Sequence, residues 1–443
     1  MLSREELKSR TCQEIDSRGE EIIAVAKTIM ENPEPGFREK KTSRLVAEKF
    51  TELGITYRDG LGITGVKGIV PGGREGPTVA VLGELDSLLV PGHPNADPVT
   101  GAAHACGHNA QIGTLIGVAA GLIGAGVLPF LAGRVAFMAV PAEEYIEIEF
   151  RENLHEQGKI TFLGGKPELI KLGEFDDIDM AMMVHTASGT RGKLMGMGGT
   201  NNGCVAKQIK FIGRGSHAGG APHAGINALN AAMIALSAIH AQRETFKDVD
   251  TVRVHPIITR GGEAVNIVPA DVRMETFVRG KTLEAIKDAN EKVDRALRAG
   301  ALAVGGKVQI KTLPGYLPII NDRNLTAVCR TNAESLLGKS KVSPPGRHST
   351  GSTDMGDVSC IMPAIHPYAA GAAGNSHGDD YMIEDYNHAV LNPAKVMAMT
   401  VIDLLADGAV KGKEVLARHK PSMTRQEYLD LLEGLRKDEE YQG

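Results

Sequence analysis

Four short, nearly continuous apolar runs constrain the fold more than any other feature: Val66–Val70, Thr78–Gly83, Val135–Val140 and Met180–Val184. A strand that is apolar on both faces needs cover on both. Long helical stretches separate the middle runs, so the pattern is an α/β sheet with helices packed on each side. The residues that follow the runs are not ordinary turn formers. Thr78–Gly83 leads into Glu84-Leu85-Asp86, Val135–Val140 into Pro141-Ala142-Glu143-Glu144, and Met180–Val184 into His185-Thr186. Carboxylates and an imidazole therefore gather at one edge of the expected sheet, the edge where open α/β sheets place their sites.

Residues 4–31 and 38–54 have apolar positions at helical spacing, interrupted by Asn32-Pro33-Glu34-Pro35-Gly36, and are expected as helices. From Gly203 the pattern changes to strand Val205–Ile212, helix Ala221–Gln242, strands Thr251–Ile258 and Val268–Val278, helix Leu283–Ala303 and strand Val308–Leu313. That order, β-α-β-β-α-β, is ferredoxin-like. Pro314-Gly315-Tyr316-Leu317-Pro318 marks the return, with further helices at Ala327–Leu337 and Ala394–Leu405. The expected organisation is a larger α/β domain, 1–202 and 314–443, with a mixed sheet and helices on both faces, carrying an inserted α+β lid or dimerisation domain at 203–313. A chain of 443 residues has room for two or three units, since single domains run to roughly 100–200 residues.

Asn109–Gly133 carries no charge over a length that could cross a bilayer. Its glycines and Pro129 argue otherwise, with Gly124-x-Gly126-x-x-Pro129 ending a helix near Gly124, and a buried helix followed by a loop is expected. The net charge of −5 and the lack of a Lys/Arg-dense tract give no reason to expect a nucleic-acid partner. The N-terminal Met1–Lys8 alternates charge and lacks the apolar core of a secretory signal, while the five cysteines (Cys12, Cys106, Cys204, Cys329, Cys360) are odd in number and scattered. A cytoplasmic protein with no membrane partner is the expectation.

The uncharged helix opens on His104-Ala105-Cys106-Gly107-His108-Asn109. Cys and His two apart can aim a thiolate and an imidazole at one point, although the motif alone is equally a bland helix start with a buried cysteine. Its neighbours decide the matter. Carboxylates follow two separate apolar strands, where a single instance would be an ordinary solvated loop, and a third strand ends in His185. Gly374-Asn375-Ser376-His377-Gly378-Asp379-Asp380 adds His377 in a glycine-rich loop that on its own would be plain surface. Together Cys106, His108, Glu144, His185 and His377 are five potential ligands, enough for two divalent transition-metal ions (Zn, Mn, Co or Ni) sharing a bridging group. One competing motif, Gly213-Arg214-Gly215-Ser216-His217-Ala218-Gly219 after a strand, imitates a dinucleotide loop. Its third glycine is one place late, Pro222 delays the helix, and the next strand carries no ribose-binding acid in an obvious position.

The whole series resembles the peptidase M-twenty family of two-metal hydrolases, in the aminoacylase-like branch with the motif His-Ala-Cys-Gly-His, near the aminobenzoyl-glutamate utilisation proteins. The likeness runs through Gly83–Asp86, His104–Asn109, Pro141–Glu144, His185, Gly215–Gly219, Gly261–Pro269, Ser352–Asp354 and His377-Gly378. It implies that Cys106 bridges two metals and that His108, Glu144, His185 and His377 complete the ligand set. It further implies that Glu143 is the general base, that Asp86 orients a ligand, and that His217 stabilises the oxyanion, often from across a homodimer interface. By the same likeness Asn266 and Arg279 contact a substrate carboxylate.

Two departures bear on the substrate. Many relatives in this branch have Asp where this chain has Asn109, and the stretch Leu88–Ala103, with His93 and Asp97, is longer than in many of them. The expected activity is hydrolysis of the amide bond in a small N-acyl-amino-acid, aminobenzoyl-glutamate-like or dipeptide substrate. A cytosolic dipeptidase or aminopeptidase is the alternative within enzymes, and a non-catalytic metal- or ligand-binding homologue the alternative outside them. A binding protein has no need of a base such as Glu143 beside metals. A structural zinc protein is a poorer fit, because ligands spread from Cys106 to His377 make no local clip.

Overall fold

The computed structural model describes residues 2–346 and 348–443. Two compact units divide the chain. The first comprises Met1–Thr200, Ile320–Arg347 and Val358–Ser422, and the second Asn201–Ile319, His348–Asp357 and Met423–Gly443.

The first unit is built on a six-stranded sheet in the order Tyr57–Leu61, Gly65–Pro71, Ala132–Val140, Arg74–Glu84, Met180–Met182, Ala364–Ile365. The first two contacts are antiparallel and the last three parallel, which makes the sheet mixed as expected. Because Arg74–Glu84, Ala132–Val140 and Met180–Met182 run parallel, their C-terminal ends share an edge. The helix His108–Gly124 ends where the glycines indicated, and its first fifteen residues, His108 to Leu122, are buried. Glycine is needed along it for close approach: a Cβ on Gly117 would lie 2.9 Å from Ala394 Cβ, and one on Gly121 2.5 Å from Ile15 Cγ1. An uncharged helix here is the centre of a helical layer, flanked by Arg4–Ser17, Gly19–Met30 and Asn392–Arg418.

Three expectations for this unit are corrected. Residues 4–31 form two helices, Arg4–Ser17 and Gly19–Met30, because Arg18 leaves helical geometry at φ −100°, ψ 11°. The strand before His185 stops at Met182, and His185-Thr186 pairs instead with Tyr368-Ala369 in a separate four-stranded sheet. The C-terminal helix runs on from Leu405 to Arg418 through a kink at Ala406–Ala409.

The second unit contains the ferredoxin-like pattern. Gly203–Ile212, Asp271–Gly280 and Lys307–Pro314 form an antiparallel sheet, and Asp271–Gly280 alternates buried with half-buried residues along its length. Its helices are Ala228–Ala241 and Leu283–Val304. The first starts seven residues later than the periodicity suggested, since Pro222–Ala224 is a 3₁₀ turn and the Asn227 side chain caps Leu229 and Asn230. Thr251–Ile258 is broken into Arg253-Val254 and Ile257–Arg260 around His255-Pro256, where proline has no N–H to give. The expected lid, 203–313, lies within this unit, which also takes in residues near the C-terminus: Lys437–Gln442 adds an antiparallel strand along Lys307–Pro314. That strand, charged at four of its six positions, pairs through its backbone and through the Glu440 side chain, which accepts from Lys307 and Gln309, and it offers no apolar alternation to read.

Candidate active site

The site in the first unit grows from the shared sheet edge. Strand Arg74–Glu84 delivers Glu84 at its last residue and Asp86 two residues on. Gly107 sets the turn into the buried helix with φ 90°; a Cβ there would fall 2.1 Å from Thr186 Oγ1, so only glycine permits the approach. The turn brings Cys106 and His108 onto one point. The Nδ1–H of His108 donates to the Asp86 carbonyl oxygen at 2.9 Å, with the Asp86 carboxylate 3.3 Å away, and this leaves Nε2 facing the cluster. The Asp86 carboxylate accepts the Glu144 backbone N–H at 2.9 Å, so one residue, through its carbonyl and its carboxylate, holds two of the expected ligands in place.

The turn Pro141–Glu144 is gripped by buried charges. Ala142, at φ 51°, sits in the left-handed region that alanine avoids. Its N–H donates to the Glu39 carboxylate at 2.8 Å, and its carbonyl accepts from Arg151 at 3.2 Å. Arg151 also donates to Leu163 O and to Glu144 O.

Donor atoms converge. Cys106 Sγ lies 3.3 Å from His185 Nε2, whose Nδ1 bonds Thr186 O at 2.6 Å. Glu144 Oε1 lies 3.6 Å from His377 Nε2 and 4.0 Å from His108 Nε2, while Glu143 Oε2 is 3.9 Å from His108 Nε2. Three sets have donor atoms within 4.8 Å of one another: Cys106, His108 and His185; Cys106, Glu144 and His377; and Glu84, His108 and Glu143. The sulfur of Cys106 belongs to two of the sets. His377 is exposed at the rim, and its backbone N–H bonds Ala105 O at 2.8 Å, tying the glycine-rich loop to the Cys106 motif.

Electrostatics asks for a cation. Burial pushes the Cys106 thiol far above its ordinary pKa, and Glu144 adds to the shift, so a thiolate needs positive charge beside it. Burial opposes charge on His108, but Glu84, Cys106 and the Asp86 bond outweigh it and hold its pKa well up. His185 is lowered to about 4, by burial first and then by His108. His108 Nε2 and Glu144 Oε1 are buried with no hydrogen-bond partner. Soft and borderline donors with orphaned atoms aimed at one point fit divalent transition metals.

His217, Asn266 and Arg279 lie in the second unit. His217 is exposed, and its Nδ1 accepts from the N–H groups of Gly219 and Gly220 at 3.1 and 2.9 Å, which leaves Nε2 to carry the proton. Asn266 is exposed beside it in the loop that accepts the Ala218 N–H, and the Arg279 guanidinium packs 5.0 Å over the Phe277 ring. Asn109 is buried, donating to Ala26 O at 3.1 Å, which makes it a packing residue. His93 anchors the Leu88–Ala103 segment through Tyr381 O at 2.7 Å, and Asp97 caps its own turn at Thr100.

Sequence reasoning missed Glu39, Lys166, Arg151 and His366. The first three are charged residues with no periodic signal of burial. His366 is buried beside His185, ring centroids 5.8 Å apart, with its pKa lowered to about 3 by burial and then by His185.

Residues 200–304 match the model of the peptidase dimerisation domain. The mouse protein named Xaa-Arg dipeptidase is 29% identical over 90% of this chain and 89% of its own length, and the human one 30% identical over 70% and 68%. An N-acyl-L-amino acid amidohydrolase of Geobacillus stearothermophilus is 26% identical over 72% of this chain and 82% of its own. A dinuclear metal-binding M-twenty peptidase of Bacillus subtilis superposes with a TM-score of 0.65 at 20% identity, covering 88% of this chain and 99% of that one. With relatives of that identity and coverage, the chain belongs to the peptidase M-twenty family, whose members hydrolyse amide bonds.

Proposed function

We propose that this hydrolase cuts the amide bond of a small N-acyl-amino-acid or aminobenzoyl-glutamate-like substrate with the help of two divalent transition-metal ions held by Cys106, His108, Glu144, His185 and His377. The observation that carries the reading is the membership of Cys106 in two donor sets that otherwise differ, so that one side chain would serve both ions of a pair. Bound ions of this kind polarise a carbonyl and bring a water's pKa from about 15.7 toward roughly 7. Glu143 takes the proton from the attacking water and passes it to the leaving amine. Asp86 fixes the ring and tautomer of His108. The Nε2–H of His217 serves the developing oxyanion, and Asn266 with Arg279 holds a substrate carboxylate. The match to a dimerisation domain supports a homodimer. A centre built on an ionised cysteine belongs in a reducing compartment, and we assign the cytoplasm.

The name of the mouse and human relatives favours a second reading of the substrate, a dipeptide with C-terminal arginine. One experiment decides both points. Chelated protein is reloaded with Zn²⁺, Mn²⁺, Co²⁺ or Ni²⁺ and assayed on N-acyl amino acids, dipeptides including Xaa-Arg, and aminobenzoyl-glutamate. Activity should vanish on chelation and return with metal, on capped substrates under the first reading and on free-amine dipeptides alone under the second. Full activity in metal-free protein refutes the metal reading.

A further inference from the structure

The buried pair Glu84–Lys166 has no part in that reading, yet it touches the site. Both side chains are fully enclosed, at 0% exposure, with Lys166 Nζ 2.6 Å from Glu84 Oε1. The other carboxylate oxygen, Oε2, accepts from Gln111 Nε2 at 2.7 Å, while Gln111 Oε1 takes the Glu84 backbone N–H at 3.2 Å. Glu84 is thus fixed at both ends. The same Oε2 lies 3.0 Å from His108 Nε2, but out of line for a hydrogen bond, since Nε2 makes none. With Nδ1 committed to Asp86, His108 Nε2 and the Glu84 oxygen flank a common point, and Glu143 lies within 4.8 Å of both.

Donors that share one cation at about 2.0–2.3 Å stand roughly 2.8–3.8 Å apart. The Cys106–His185 distance of 3.3 Å and the His108–Glu84 distance of 3.0 Å both have that spacing. A buried ion pair contributes little to stability by itself, and its desolvation is costly. A pair that served only packing would have no reason to present its carboxylate to a ligand nitrogen.

We propose that Glu84 is a sixth metal-facing donor beside His108, and that Lys166 and Gln111 are positioning residues that hold its carboxylate in place. The inference rests on the two-metal reading. It predicts that the carboxylate matters for metal binding beyond its service to Lys166.

The test separates those two roles by restoring charge balance. Full-length wild type, Glu84→Gln and the double variant Glu84→Gln/Lys166→Met are loaded with Co²⁺. Ions per chain, affinity by chelator competition, and the visible d–d absorption are then measured. Glu84→Gln alone strands a buried ammonium and is expected to lose metal under either account. The double variant discriminates: we expect affinity for one of the two ions to fall at least about tenfold, with an altered d–d band. Two ions bound with wild-type affinity and an unchanged band would overturn the proposal. Should circular dichroism show the double variant unfolded, Glu84→Asp decides, since it keeps the charge opposite Lys166 and shortens the reach by one methylene. It should fold and bind one ion at least about tenfold more weakly, and wild-type affinity would overturn the proposal. Failure of wild type to bind Co²⁺ would instead refute the two-metal reading itself.

Discussion

Arg151 offers the most quantitative handle on how the site is held. Its side chain, on the helix Ile148–Glu156, is almost wholly buried and donates to three backbone carbonyls, those of Ala142, Leu163 and Glu144. Two of these carbonyls keep a second donor when the guanidinium is removed: Gly165 N–H reaches Ala142 O at 3.2 Å, and Ile146 N–H reaches Glu144 O at 2.8 Å. Each of those bonds is worth about 1 kcal/mol net, while stranding Leu163 O costs about 1–3 kcal/mol. Arg151→Met should therefore destabilise the first unit by roughly 3–5 kcal/mol, out of a domain's typical total of about 5–15 kcal/mol. At about 2–4 °C per kcal/mol the melting transition falls by roughly 6–20 °C, read by differential scanning calorimetry. Arg151→Lys keeps the charge but not the fork, so it should recover part of that loss. Catalysis should suffer as well, because the same turn carries Glu143, and a displacement of about 1 Å in a reacting group costs on the order of 10²-fold. The expected signature in Arg151→Lys is a fall in kcat with KM nearly constant. An Arg151→Met protein that melts within about 2 °C of wild type and turns over normally would show that the clamp does not position the carboxylates.

Glu143 and Glu144 should separate on substitution: Glu143→Gln keeps its metals and loses kcat by on the order of 10²-fold or more, because an amide cannot accept the water's proton. Glu144→Gln should lose metal instead, with activity partly rescued by excess metal; normal kcat in the first and full occupancy in the second would reverse or void the assignment. On the helix Ala228–Ala241, Met233 and Ile234 remain exposed, at 55% and 39%, after Ala228, Ala231, Ala232, Ala235 and Ile239 are buried within the unit. Met233→Asp/Ile234→Asp should convert a dimer into a monomer by light scattering, and wild type that is already a monodisperse, active monomer at micromolar concentration would rule the interface out.

Much of this site is visible in sequence because the physics that builds it is periodic. Apolar strands buried on both faces leave a repeated signal, and the residue after such a strand is forced to the sheet edge, so Glu84, Asp86, Glu143 and Glu144 are located by the runs that precede them. Cys106 and His108 are found by their spacing across one glycine. His185 is found for a partly mistaken reason, since its strand ends early and a second sheet carries it. The helix Ala228–Ala241 and the broken edge strand were misjudged at their ends, where a side-chain cap and a proline override hydrophobic periodicity.

The residues that sequence could not supply share a different property. Glu39, Lys166 and Arg151 are charges whose burial depends on partners distant in the chain: Glu39 meets Ala142 across 103 positions, and Lys166 meets Glu84 across 82. Nothing local distinguishes such a lysine or arginine from one in solvent, because its cost is offset only in the folded state, by an opposite charge or by carbonyls. Burial of a lone charge is strongly unfavourable, so each of these groups must be matched, and the matches all lead to the same few atoms. Glu39 and Arg151 hold the Pro141–Glu144 turn, Asp86 holds His108 and the Glu144 N–H, and Lys166 holds Glu84 against His108. Removing any one of them leaves a buried polar group or charge short of its partner beside the ligands, which ties the stability of this unit to the order of its site. Substitutions in this set should therefore lower melting temperature and metal affinity together, whereas an apolar truncation of comparable cost at Ile15, packed on Gly121 away from the ligand cluster, should lower the first alone.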